Sequence, residues 1–152
     1  MLPFLPPTVP FRVNLLVAAR LLPTIIKRAP LSDILARATP ARKHGGSLSL
    51  PPAEIVAAVN QVTANPWRMR GRRCLRQGVL AFHYLARAGH HPVLHFAVAP
   101  STLSTARPRA HCWVSVGDEI VINPPVEAMI EIFRHDTTTP PQDLKVREVI
   151  WS

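Results

Sequence analysis

Up to His91 the apolar residues recur every three or four positions; beyond it they tend to alternate, so helices precede a sheet. Residues 1–10 are proline-rich and read as extended. Leu15, Leu16, Ala19 and Leu22 predict an amphipathic helix over Phe11–Ile26, with Pro23 as its kink or end. Leu31–Ala38 reads as a second, short helix, and Thr39–Pro52 as a loop broken by Arg42-Lys-His-Gly-Gly-Ser. Pro52–Ala64 reads as a third helix. Its proline suits the first turn, and Ile55, Val56, Val59 and Val62 form the apolar face. Asn65-Pro66 ends it and a connector follows through Gly71. The most apolar helix spans Cys74–Ala88, with Gly89 as its stop. Gly78 inside it costs about 1 kcal/mol relative to alanine, which predicts close approach of another element there.

Pro92–Ala99, Ala110–Val116 and Ile120–Asn123 read as strands. The last two are joined at Gly117-Asp118, and Pro124-Pro125 closes the second. Val126–Phe133 reads as a short helix and Leu144–Trp151 as a final strand. The class is α+β: N-terminal helices, then a cysteine-bearing helix packed on a small antiparallel sheet. Residues 1–50 form an N-terminal helical extension suited to docking, and 51–152 the core, within one domain overall.

Composition narrows the classes. A chain of 152 residues buries a real core without metal or disulfides. Two cysteines make no disulfide framework, so reduced thiols and a cytoplasmic location are expected. The net charge of +9 favours an acidic partner. Basic residues are spread along the chain and aromatics are few, which argues against nucleic acid. No basic segment precedes the first apolar residues, and prolines break them, so a signal peptide is not expected. Arg12, Arg20, Lys27 and Arg28 interrupt every candidate span, leaving at most peripheral membrane association. The seven histidines match no zinc spacing and no HExxH, so no metal is expected. No phosphate-binding glycine loop occurs, so no cofactor is assigned to this chain.

The chemistry-bearing residues centre on Cys74. A helix N-terminus carries unpaired N–H groups and partial positive charge, and Arg70, Arg72, Arg73 and Arg76 add to it, all of which lower a thiol pKa. The bland alternative is a buried, inert thiol. His111 heads the strand Ala110–Val116 and would complete the activation as an ion-pair partner. Alternation places His111, Trp113 and Ser115 on one face and Cys112, Val114 and Val116 on the other, so Cys112 reads as core. A third group must orient the imidazole. Asp118 is seven residues away, roughly 23 Å along an extended strand, and cannot reach. Asn123 can, if the register permits. A two-residue turn at 117–118 pairs 112 with 123 and puts Asn123 on the wrong face. A three-residue turn pairs 113 with 123, brings Asn123 beside His111, and gathers Ile120 and Ile122 with the core set. An odd-length turn with a bulge is therefore expected.

Cys74-Leu-Arg-Gln-Gly-Val-Leu-Ala, Leu85-Ala-Arg-Ala-Gly-His and Arg109-Ala-His-Cys-Trp-Val resemble the transglutaminase-like peptidase half of the lasso-peptide maturation B family, over about residues 66–124. The resemblance implies a transglutaminase- and papain-like core and a stand-alone cysteine peptidase that removes the leader from a ribosomally made precursor peptide. It makes Cys74 the nucleophile and His111 the general base. Asn123 stands where that family usually has aspartate. It implies three partners: the precursor peptide, a leader-binding recognition protein and a lasso cyclase. Any ATP linkage would run through the cyclase. Gln77, one turn beyond Cys74, is an oxyanion donor, a substrate contact or a solvated helix residue. Trp113 walls the site or packs on the Cys74 helix. Competing readings are a transglutaminase-like acyltransferase and a non-catalytic peptide-binding module of the same fold.

Overall fold

The computed structural model describes residues 4, 6, 8–41, 48–65 and 72–138. Much of the proline-rich start, Arg42–Ser47, the connector 66–71 and the strand expected over Leu144–Trp151 lie outside the described residues. Four helices come first: α1 (Phe11–Arg28), α2 (Leu31–Ala38), α3 (Pro52–Thr63) and α4 (Arg73–Arg87). Four strands follow: β1 (Pro92–Val98), β2 (Ala110–Val116), β3 (Glu119–Ile122) and β4 (Ile130–His135). They make one antiparallel sheet in the order β3-β2-β1-β4, giving an α+β fold.

Helix α4 is the axis of the molecule, and every residue from Leu75 to Arg87 is buried. Strands β1 and β2 cover one side, while α1, α2 and α3 cover the others. Two of its buried polar side chains bond to the N-terminal helices: Tyr84 Oη donates to Asn14 Oδ1 at 2.9 Å, and His83 Nδ1 lies 2.8 Å from the Ala38 carbonyl. Gly78 is where the sheet comes closest. A Cβ there would lie 2.9 Å from Leu94 Cδ1 and 3.3 Å from Cys112 Sγ, so the missing side chain makes room for both strands.

Two expected elements differ. Helix α1 runs through Pro23 to Arg28 instead of ending there. Leu22 and Ile26, buried on either side of the proline, hold the turn against the lost backbone hydrogen bond. The short helix expected over Val126–Phe133 is instead a loop followed by β4, which pairs with β1. Without β4 the β1 edge would be unpaired, and ladder hydrogen bonds outweigh the weak local helical preference of Ile130-Glu-Ile-Phe-Arg-His. Among the described residues, no helix is long and apolar enough to cross a membrane.

The β2–β3 hairpin settles the register. Its turn has two residues, Gly117-Asp118, since Val116 pairs with Glu119. Gly117 has φ +58°, as the first position of a type II′ turn requires. The odd-length turn is therefore not present. A bulge takes its place: Ser115 pairs with Ile120, but Val114 pairs with Ile122. Continued by one residue, this shifted register brings 123 opposite 113, as the longer turn would have done. The bulge also separates the two isoleucines. Ile122 enters the core with Val114, whereas Ile120 joins the outer face and is exposed, contrary to expectation.

The burial of neutral His83 predicts an acid-sensitive fold. Burial pushes its pKa down from 6.5 to about 3, with the Ala38 carbonyl acting in the opposite direction. Below about pH 6.5 the unfolded chain takes up a proton that the folded chain refuses, so stability falls as pH drops toward 3. His83→Gln keeps a donor for Ala38 and is expected to flatten urea-unfolding stability against pH by about 1.4 kcal/mol per unit between pH 6 and 4. An unchanged slope would assign the acid sensitivity elsewhere.

Candidate active site

Cys74 occupies the first turn of α4, where backbone N–H groups have no helical partners. The preceding Arg72 is left-handed at φ 54° and turns the chain abruptly into the helix. The half-buried Cys74 opens onto a cleft of about 570 Å³ whose lining includes Asn60, Gln77, His111, Val121 and Asn123.

The sheet edge explains how His111 reaches the thiol. Strand β3 pairs with β2 only over Val114–Val116, so the β2 edge at residues 111–113 is open. Beside it, Asn123 is left-handed at φ 55°, a conformation asparagine tolerates better than most residues, and Pro124-Pro125 carries the chain away. The main-chain carbonyl of Asn123 lies 2.9 Å from His111 Nε2. A carbonyl only accepts, so Nε2 carries a proton and Nδ1 is left to face the thiol. The Asn123 side chain does something else: Nδ2 donates to the Cys74 carbonyl at 3.0 Å. Asn123 thus ties both partners together, but its backbone rather than its amide orients the imidazole.

The thiol is strongly acidified. Its pKa is pulled from 9.0 to about 4, chiefly by a hydrogen bond from the Cys112 thiol, against the opposing effect of burial. A hydrogen bond and Coulombic attraction from His111, and the main-chain N–H of Cys112, pull the same way. His111 is raised above 6.5, mainly by its hydrogen bond to Cys74, with burial opposing and the Asn123 carbonyl assisting. Between the two values the pair is a thiolate beside an imidazolium, the reactive form of a cysteine nucleophile. Burial pushes the fully buried Cys112 well above 9.0, so Cys112 is the donor and Cys74 the anion.

Cys112 is the residue that sequence reasoning missed. Alternation placed its side chain in the core, as found, but α4 begins over that end of β2 and the two thiols meet. Both cysteines are free. Cys112→Ala is expected to raise the Cys74 pKa by about one to two units, the worth of one hydrogen bond to a charged group. Cys112→Ser keeps a donor and is expected to stay near the parent. The pH profile of Cys74 alkylation reads both, and an unchanged alanine profile would remove Cys112 from the activation.

Gln77 is not a solvated helix residue. It is buried, and its Nε2 donates to Thr63 Oγ1 at 2.8 Å and Asn60 Oδ1 at 3.3 Å. Trp113 does not pack on α4. It lies on the outer sheet face, stacked on His95 at 5.2 Å, with the His111 ring 6.2 Å away, and so braces that ring from the solvent side. His95 is held there between Ser115 Oγ at 2.8 Å and Glu131, a polar chain that ties β2, β1 and β4. Asn60 and Thr63 were also missed. The available signal was the change from the apolar run Ile55–Val59 to the polar residues Asn60, Gln61 and Thr63 at the end of α3.

No curated protein and no solved structure matches the chain. The family model described as the transglutaminase-like superfamily matches residues 9–134, which takes in all four helices and nearly the whole sheet. A helix-start cysteine meeting a strand histidine is the arrangement through which that fold typically serves cysteine peptidases and acyltransferases. With the match extending over most of its length, the chain belongs to the transglutaminase-like superfamily.

Proposed function

We propose that this protein is a cysteine peptidase that removes the leader from a ribosomally made lasso-peptide precursor. The observation that carries the enzymatic part is the contact of Cys74 with His111 in an open cleft. The lasso assignment rests on the motifs Cys74-Leu-Arg-Gln-Gly and Ala110-His-Cys-Trp-Val. The Cys74 thiolate attacks the scissile carbonyl, forming the C–S bond. The His111 imidazolium gives its proton to the leaving amine, and a thioester remains. His111, now neutral, takes a proton from water, whose oxygen attacks the thioester and releases the acid.

The substrate is delivered by a leader-binding protein, and the product passes to a cyclase. Exposed Val13, Leu16 and Leu21 on α1 supply an apolar surface suited to docking, and the basic charge suits an acidic leader. Mass spectrometry of the precursor, incubated with this protein and the leader-binding protein, tests the reading. Separate leader and core fragments are expected, with one water added between them. Amine adducts without hydrolysis would assign an acyltransferase, and an unaltered precursor would favour a binding module.

A further inference from the structure

The cleft contains a chain of hydrogen bonds whose direction is set by the backbone. Thr63 Oγ1 carries one proton and lies 2.7 Å from the Val59 carbonyl and 3.3 Å from the Asn60 carbonyl. Both are acceptors only, so that proton is committed to them. Gln77, 2.8 Å away, must therefore present Nε2 to Thr63, because its oxygen would face an oxygen with no proton to give. The other proton on Nε2 goes to Asn60 at 3.3 Å, which must answer with Oδ1. The sequence of obligations ends at Asn60, whose oxygen is turned to Gln77 and whose NH2 remains. Thr63 and Gln77 are buried, whereas Asn60 is exposed and lines the cleft with Cys74 and His111.

We propose that Asn60 is the side-chain oxyanion donor of this site, with Gln77 and Thr63 as positioning residues. The inference rests on the peptidase reading above. Gln77 cannot serve directly, since both Nε2 protons are committed to Thr63 and Asn60. As the Cys74 sulfur bonds to the substrate carbonyl carbon, the C=O π pair moves onto oxygen. The Asn60 NH2 and the Cys74 main-chain N–H stabilise the resulting charge. When C=O re-forms, the C–N bond breaks and the amine leaves with the His111 proton. A donor fixed before reaction needs no reorganisation at the moment of charge development.

The test pairs two rates in Asn60→Ala, Asn60→Asp and Gln77→Glu: turnover of the precursor with its leader-binding protein, and alkylation of Cys74 by iodoacetamide, which forms no oxyanion. Asn60→Ala is expected to lower kcat by about 10²–10³-fold while KM and the alkylation rate stay within about threefold. Asn60→Asp replaces the donor with a negative charge and is expected to fall further. Gln77→Glu has no amide protons, draws the Asn60 NH2 toward itself, and is expected to lose kcat with its thiol still reactive. A kcat within about threefold of the parent in Asn60→Ala overturns the proposal. Alkylation falling in step with kcat also overturns it, because Asn60 would then act through the thiol. No precursor turnover by the parent, with Cys74 still alkylated rapidly, would instead overturn the peptidase reading beneath it.

Discussion

Cys74→Ala is expected to abolish precursor cleavage, lowering kcat by at least about 10⁴-fold, with thermal stability nearly unchanged. The side chain is half-buried at the helix start, so removing its sulfur leaves at most a small gap at the cleft floor. Cys74→Ser is expected to be almost as inactive. A hydroxyl is far less acidic than a thiol, and neither the Cys112 donor nor the imidazolium can bring it into the range where it ionises at neutral pH. Cleavage by Cys74→Ala at the parent rate would place the chemistry elsewhere or rule it out. The comparison uses stopped time courses of precursor loss, with melting curves to establish that both variants are folded.

His111→Ala carries the second-largest expected effect, a loss of about 10⁴-fold in kcat/KM. Two contributions disappear together: the positive partner that keeps Cys74 ionised, and the acid that protonates the leaving amine. The Cys112 hydrogen bonds remain, so the Cys74 pKa should rise without returning to an ordinary thiol value. That residual acidity separates the two contributions. A thiolate that persists in His111→Ala while cleavage is lost shows that proton delivery to the amine is the larger one. Parent activity should be bell-shaped in pH, rising as Cys74 ionises near 4 and falling as His111 loses its proton above 6.5. His111→Ala should lose the alkaline limb.

Much of this site could be read from local chemistry. Cys74 stood at a change from basic connector to apolar helix, and His111 at the head of an alternating strand, both of which are patterns over a few residues. Gly78 announced the close approach of the sheet because a glycine inside a buried helix is costly. What escaped depends on relations between elements. The register around Asn123 was set by a bulge at Val121, while the turn itself stayed at two residues; both routes give the same shift, and only pairing across strands separates them. The left-handed Asn123 then exchanged the expected roles of its side chain and carbonyl. Cys112 was assigned to the core, but where α4 crosses the end of β2 is a property of the packed molecule. Gln77 looked solvated because α3, which buries it, precedes it by an intervening connector. Strand β4 was hidden because its partner β1 is more than thirty residues away, and pairing overrode a weak local preference.

The arginines around Cys74 also changed meaning. They suggested the thiol's activation, yet the strongest effect comes from Cys112, a group with no formal charge. A buried S–H donor and an imidazole act at contact distance in a partly dry cleft, where hydrogen bonds are stronger than in water.

The activated thiolate is the central claim, and the pH dependence of Cys74 alkylation by iodoacetamide measures it most directly, with peptide mapping to separate Cys74 from buried Cys112. The rate is expected to be already near its plateau at about pH 5 and to change little up to neutrality, as a pKa of about 4 requires. A rate that climbs about tenfold per pH unit from 5 to 8, levelling only near 8.5 as an ordinary thiol does, would contradict it.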